Sequence, residues 1–230
     1  MDNEGGKLVI VGDSAIAEVA YEYFTHASPY DVVAFAVNEE YRKRDALFGV
    51  PVVPFETVEQ AFPPATHSAF VALSYQRLNR VRSRLYDESK AKGYRLASYV
   101  SPQAFVWRNV EIGDNCFIFE NNVVQPFVKI GNGVTLWSGN HIGHHTRIRD
   151  HVFIASHVVI SGFCDIGDHT FMGVNATVAN NVTIARDNLI GAGATILRDT
   201  EPGRLYGARG TAAHETKTAY DYYGVPESER

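Results

Sequence analysis

The chain has 230 residues, 45% of them hydrophobic and 20% charged, with a formal net charge of −5. That balance excludes extended disorder, and the mild acidity argues against a nucleic-acid-binding surface. No apolar run is long enough for a membrane span, and the first residues lack the basic-then-apolar pattern of a secretory signal, so a cytoplasmic protein without membrane insertion is expected. Two cysteines, Cys116 and Cys164, make neither a disulfide framework nor a four-thiolate zinc site.

In chain order, residues 7–11 (KLVIV) predict a buried strand, followed by the turn Gly12-Asp13-Ser14 and a helix over 16–24. Residues 30–37 predict a second strand that ends at Asn38, and residues 50–54 a third, before a short helix over 57–61. Residues 68–73 predict a strand ending at Ser74 and Tyr75. A charged amphipathic helix over 76–92 and a last strand over 94–100 complete the run. This alternation predicts a small, parallel, Rossmann-like α/β domain over 1–101. The strand–turn–helix at Gly12 can receive an anion, although the full G-x-G-x-x-G is absent. Asn38, Ser74 and Tyr75 stand at strand carboxyl ends, where open α/β sheets bind ligands.

From Ile112 to Ile196 every sixth residue is a large aliphatic, fifteen positions in succession, and Val106 extends the row backwards. Six is not a multiple of the helical 3.6, and the segment is rich in Gly and β-branched residues. Such a hexapeptide repeat predicts a parallel β-helix over 102–211, three six-residue sides per coil, with the aliphatics inward and stacked at eighteen-residue spacing. Cys116 and Cys164 fall on inward positions. Glycine often follows the inward aliphatic, as at Gly173 and Gly191, and the expectation is a corner that needs positive φ. Residues 212–230 form a tail, whose Tyr220, Tyr222 and Tyr223 suggest a cap for the solenoid end.

Six of the nine histidines lie between 141 and 169. A neutral imidazole suits proton transfer near pH 7, and a solenoid corner with several histidines is a candidate site for it. His151 and His169 read as solvated corner residues.

The order of the two parts, with Val11-Gly12 in the first turn, the run from Gly139 to His145 and the run from Ile190 to Ala194, resembles a family of bacterial sugar acetyltransferases of surface-glycan (lipopolysaccharide, O-antigen) synthesis. It includes the N-acetyltransferases of nucleotide-linked 4-amino-6-deoxysugars and relatives described as sialic-acid O-acetyltransferases. The resemblance implies a left-handed β-helix, a homotrimer, acetyl-CoA as co-substrate between neighbouring solenoids, no metal, and a nucleotide sugar held by the α/β domain. Carried onto this chain, His144 is the general base and His145 its catalytic companion, standing where the family has a carboxylate; Asp150 is a candidate substitute. Gly12, Asp13, Ser14, Asn38, Ser74, Tyr75 and His141 are candidate substrate contacts, and His157, Gly173, Gly191 and Ala192 candidate CoA contacts. Arg186, Arg198, Arg204 and Arg209 are available for CoA phosphates. N-acetylation of a 4-amino-4,6-dideoxyhexose is favoured over O-acetylation. A zinc enzyme of the gamma carbonic anhydrase type, on the histidines, and a non-catalytic sugar-binding module are the other readings.

Overall fold

The computed structural model describes residues 5–208, 210, 215–216 and 218–229. Its first part is a six-stranded sheet of strands β1 (Gly6–Val11), β2 (Tyr30–Val37), β3 (Ala46–Leu47), β4 (Val50–Pro54), β5 (His67–Val71) and β6 (Arg95–Leu96), in the order β3-β4-β2-β1-β5-β6. All pairs are parallel except β3 with β4. Both faces are covered, as parallel sheets require. Leu8 and Ile10 of β1 pack with helix α1 (Ala15–Ala27), whereas Val9 and Val11 share a core with Leu85 and Tyr86 of helix α3 (Arg80–Ala91). Helix α2 (Val58–Ala61) follows a 3-10 turn over Phe55–Thr57.

The predicted strand over 94–100 divides. Arg95–Leu96 pairs with β5, but Tyr99–Val100 pairs with Phe117–Ile118 and opens the first coil of the solenoid. Val100 lies one step of six before Val106, so the repeat itself carried this signal. The predicted helix over 76–92 is also shortened: a turn over 77–79 with positive φ precedes α3.

The second part is a parallel β-helix with sheets of seven, six and five two-residue strands. The first sheet contains Phe117–Ile118, Thr135–Leu136, Phe153–Ile154 and Phe171–Met172; the second Val123–Val124, His141–Ile142 and Val159–Ile160; the third Lys129–Ile130, Arg147–Ile148 and Asp165–Ile166. Pairing is uniformly i to i+18, as in Phe117 with Thr135 and His141 with Val159, until Leu189 meets Leu205 at the exit. Ile118, Leu136, Ile154, Met172 and Ile190 stack in one fully buried row. Cys116 and Cys164 lie in the same core as expected, and burial pushes the Cys116 thiol up to about 12.

The corners assign two different jobs to two positions. The third residue after each inward aliphatic has positive φ, at all fourteen positions from Asn115 to Gly193. Asn, Asp, His, Phe and Gly occupy them, and Asn, Asp and His tolerate this conformation better than most side chains. The glycines directly after the aliphatic do not have positive φ, which corrects the expectation for Gly173 and Gly191. At Gly173 an added Cβ would sit 2.6 Å from the Ala192 amide nitrogen, and at Gly143 2.5 Å from that of Gly162. Those glycines allow the next coil to approach.

The two parts share core. Phe24 of α1 contacts Phe117 and Tyr99 at ring distances of 6.4 and 5.6 Å, and Asn115 bonds the β5 backbone through Val71 N–H (2.7 Å) and Val71 C=O (3.3 Å). On the other side, Arg82 is 2% exposed and donates to Thr135 Oγ1 (2.6 Å), to Asn79 Oδ1 (3.1 Å) and to the His151 and Val152 carbonyls. The chain end carries helix α4 (Ala219–Tyr223), capped reciprocally by Thr218 and Asp221.

The corner geometry predicts that Gly173→Ala destabilises the protein by about 1–3 kcal/mol, because a backbone atom must move. Asn175→Gly, two residues on at φ 58°, should change stability by less than about 1 kcal/mol. Denaturant unfolding of both variants checks this.

Candidate active site

The solenoid has three edges, and the histidines are distributed over all of them. His144 and His145 lie on the edge between the second and third sheets, both exposed. His145, at φ 60°, is sandwiched between Phe127 and Phe163 at ring distances of 4.6 and 4.7 Å, both stacked. These three share one corner position eighteen residues apart. The His144 ring lies over Gly162, where an added Cβ would sit 2.8 Å from its Cε1. The backbone N–H of His144 donates to Gln125 Oε1 at 2.9 Å. The two Nδ1 atoms face each other at 3.1 Å, so one donates and the other accepts. A donor requires an acceptor lone pair opposite, so at least one of the two rings is neutral.

Asp150 does not join this pair. It lies on the edge between the third and first sheets, where its Oδ1 accepts the Asn132 N–H at 2.7 Å. The substitute-carboxylate expectation is therefore corrected: Asp150 satisfies the neighbouring coil's backbone. His141 is half-buried in the second sheet, between Val123 and Val159.

The candidate CoA residues gather on the edge between the first and second sheets. His157 is exposed and packs over Gly139, Ala192 is exposed, and Gly191 is half-buried. Gly173 is buried beneath Ala192. Arg186 pairs with Asp187 (2.9 Å) and Arg204 with Glu201 (2.7 Å). Arg209 and part of the tail lie outside the described residues.

His151 and His169 differ from their reading as solvated residues. They stack at 5.2 Å on the edge that faces α3, and both Nδ1 atoms are buried without a partner. Burial pushes His169 down to about 4, with Arg80 nearby adding to the effect; burial and Arg82 lower His151 as well. The sequence held no signal for this, because the contact depends on how α3 docks.

In the α/β part, a cleft of about 680 Å³ opens at the carboxyl ends of β1 and β2, beside the end of β5. It lies beside the switch point between β1 and β5, where the chain crosses from the β2–β4 side of the sheet to the other side of β1. The structure brings Gly12, Asp13, Ser14 and Asn38, four of the candidate substrate contacts, together there. Gly12 has φ 120° and lies close to the Ala72 carbonyl, so a side chain does not fit. Ser74 and Tyr75 are not in the lining; Tyr75 packs instead on Phe153 and Phe171 of the solenoid at 5.1 and 4.5 Å. Tyr41, Lys43, Arg44, Arg77 and Arg84 also line the cleft and were missed. Their charge in a loop and in a helix reads as ordinary solvation until the fold converges them.

Among the described residues, no three His, Cys, Asp or Glu side chains come together as a group able to hold a metal ion, and no helix is long and apolar enough to cross a membrane.

These features define a hexapeptide-repeat protein. Residues 109–144 and 127–162 match the family model described as bacterial transferase hexapeptide (six repeats). No curated protein matches the chain. Among solved structures, the chain is similar to PerB from Caulobacter crescentus in complex with CoA and GDP-perosamine, at 25% identity over 88% of this chain and 94% of that one, TM-score 0.75. A mutant of the perosamine N-acetyltransferase from the same organism, in complex with the same molecules, gives 24% identity over 88% and 94%, TM-score 0.79. The acetyltransferase domain of PglB from Neisseria gonorrhoeae, in complex with acetyl coenzyme A, gives 23% over 89% and 97%, TM-score 0.78. The chain thus has the fold of the bacterial nucleotide-sugar acetyltransferases: an N-terminal α/β part followed by a left-handed β-helix of hexapeptide repeats.

The half-buried histidine pair makes stability pH-dependent. Each takes up a proton more readily unfolded, near 6.5, than folded, so its contribution is present above pH 6.5 and is lost as pH falls below that, for His169 toward about 4. The melting temperature should fall between pH 7 and 5, and His169→Asn, which keeps the left-handed corner, should flatten that slope in calorimetric scans.

Proposed function

We propose that the chain is an acetyl-CoA-dependent N-acetyltransferase of a nucleotide-linked amino sugar, a 4-amino-4,6-dideoxyhexose, in surface-glycan (lipopolysaccharide, O-antigen) synthesis in the cytoplasm. What carries the reading is the exposed His144–His145 pair on a fold shared over nearly its whole length with an enzyme solved with CoA and GDP-perosamine. The division of labour is a nucleotide-sugar-binding unit over 1–101, an acyltransfer unit over 102–211 and a tail over 212–230.

Acetyl-CoA, when bound, supplies an acyl thioester. His144 acts as general base: its Nε2 accepts the proton of the sugar amine as the nitrogen attacks the thioester carbonyl, and it returns that proton to the sulfur that leaves as the carbon–sulfur bond breaks. For that, Nε2 carries a lone pair and Nδ1 carries the hydrogen, which is donated to His145 Nδ1 at 3.1 Å. His145 thereby fixes the tautomer and orientation of His144, as a carboxylate would, but as a neutral dipole. The Phe127–His145–Phe163 column holds the companion ring in place.

The acting unit is a homotrimer. Within one chain, the base lies on one edge and His157, Gly191 and Ala192 on the next, with the second sheet between them. That sheet and its edge expose Phe105, Trp107, Val123, Phe127, Val159 and Phe163, an apolar surface suited to a second copy.

With acetyl-CoA and a panel of UDP-, dTDP- and GDP-linked 4-amino-4,6-dideoxyhexoses, free-thiol release should identify one substrate. His144→Ala should lower turnover about 10²–10⁴-fold with CoA binding retained. His145→Asp should keep more activity than His145→Ala. Full activity in His144→Ala rejects the named base.

A further inference from the structure

The cations of the α/β cleft are not equivalent. Arg44 lies 3.5 Å from Asp13 and 3.9 Å from Glu18, and Arg84 bonds Glu88 at 2.7 Å. Lys43 and Arg77 line the same cleft and make no ion pair among the described residues. They approach from different sides, Lys43 after β2 and Arg77 after β5, with the Gly12–Ser14 turn between the two strands.

The backbone that presents Arg77 is unusual. Arg77, Leu78 and Asn79 follow one another at φ 50°, 51° and 64°. L-residues visit this region singly, because Cβ crowds the following carbonyl. The solenoid corners obey that rule, with one left-handed residue every six; this turn does not. Three consecutive strained residues persist only where the surroundings over-determine them. Here Asn79, fully buried, donates from Nδ2 to the His169 carbonyl at 3.1 Å, and its Oδ1 accepts from Arg82. Its own N–H bonds the Tyr75 carbonyl at 3.1 Å, and the Arg80 N–H bonds that of Arg77 at 3.2 Å. Tyr75 rests on Phe153 and Phe171. Both ends of the turn are therefore fixed to the β-helix, while its first residue lines the cleft.

We propose that Arg77 binds the diphosphate of the substrate, presented by a left-handed turn that the β-helix holds in place. The proposal rests on the nucleotide-sugar reading above. A diphosphate linker carries adjacent negative charges, and two cations without an ion pair among the described residues, one after β2 and one after β5, line the cleft that would receive it. A guanidinium offers parallel N–H donors to two phosphate oxygens, which an ammonium does not. Fixing the turn to the solenoid would hold the linker, and with it the sugar, at a set position relative to the coils.

Titration calorimetry of the full chain with GDP, UDP and dTDP, each beside its monophosphate, tests this. At least one diphosphate should bind. R77Q should weaken that binding at least about tenfold, R77K should fall between R77Q and the parent, and monophosphate binding should change less than about threefold. CoA affinity and the melting temperature should stay at parent values in R77Q, which separates a lost contact from a lost fold. Parent-like diphosphate affinity in R77Q, or equal loss of mono- and diphosphate binding, overturns the assignment and leaves the transferase reading standing. Failure of all three diphosphates to bind the parent chain overturns both.

Discussion

The six-residue step governs this molecule, because every coil must turn three times without breaking its ladder. Each turn uses one left-handed residue, and the uniform eighteen-residue register puts each such residue above its counterpart in the coil below. The aliphatic rows are a consequence: once each coil has the same length, inward side chains stack and exclude water. The outer surface follows the same rule. Side chains with positive φ form columns along each edge, and the identity of a column sets the chemistry of that edge.

This explains why histidines are concentrated here. His145, His151, His157 and His169 all occupy the left-handed position, which tolerates imidazole better than it tolerates branched side chains. His144 does not. It precedes the left-handed residue, and its ring rests on a glycine of the next coil. The sequence cluster therefore mixes a backbone preference with a candidate chemical group. Position within the repeat separates them, in a way that counting histidines cannot.

The repeat made the solenoid legible down to individual inward residues, including both cysteines, because a periodic constraint leaves the same mark in every coil. The strand–helix alternation of the α/β part and the turns at Gly12–Ser14 and Asn38 were legible for a similar reason: alternation and turn chemistry are local. What was not legible depends on docking. Tyr75 looks like a ligand contact at a strand end, yet its ring is drawn to Phe153 and Phe171. Asp150 looks like a partner for His144, yet a corner of the prism separates them. Arg82 looks like one more charge on an amphipathic helix. It is buried with no carboxylate beside it, and burial lowers it only to about 10, so it remains a cation at neutral pH. The carbonyls of His151 and Val152 and the face of Phe153, 5.6 Å from its guanidinium carbon, take the place of a counter-ion.

That buried cation bears on how the two parts act together. A charge so enclosed is tolerable only while its acceptors stay in place, so α3 cannot slide on the first sheet without leaving a guanidinium unsatisfied. Asn79 adds a second fixed point one helical turn earlier, and Asn115 a third from the solenoid side into β5. Three polar anchors inside an aromatic interface fix orientation, which apolar contact alone leaves free to repack. The α/β cleft and the coils thus form one rigid frame. In the proposed reaction, no hinge between domains is then available to bring the sugar to the base. The distance has to be spanned by the length of the substrate itself or by the arrangement of copies in the proposed trimer. The placement of the base on one edge and the candidate CoA residues on the next favours the second, since a neighbouring prism set against the apolar sheet between them can complete a site that neither chain contains alone.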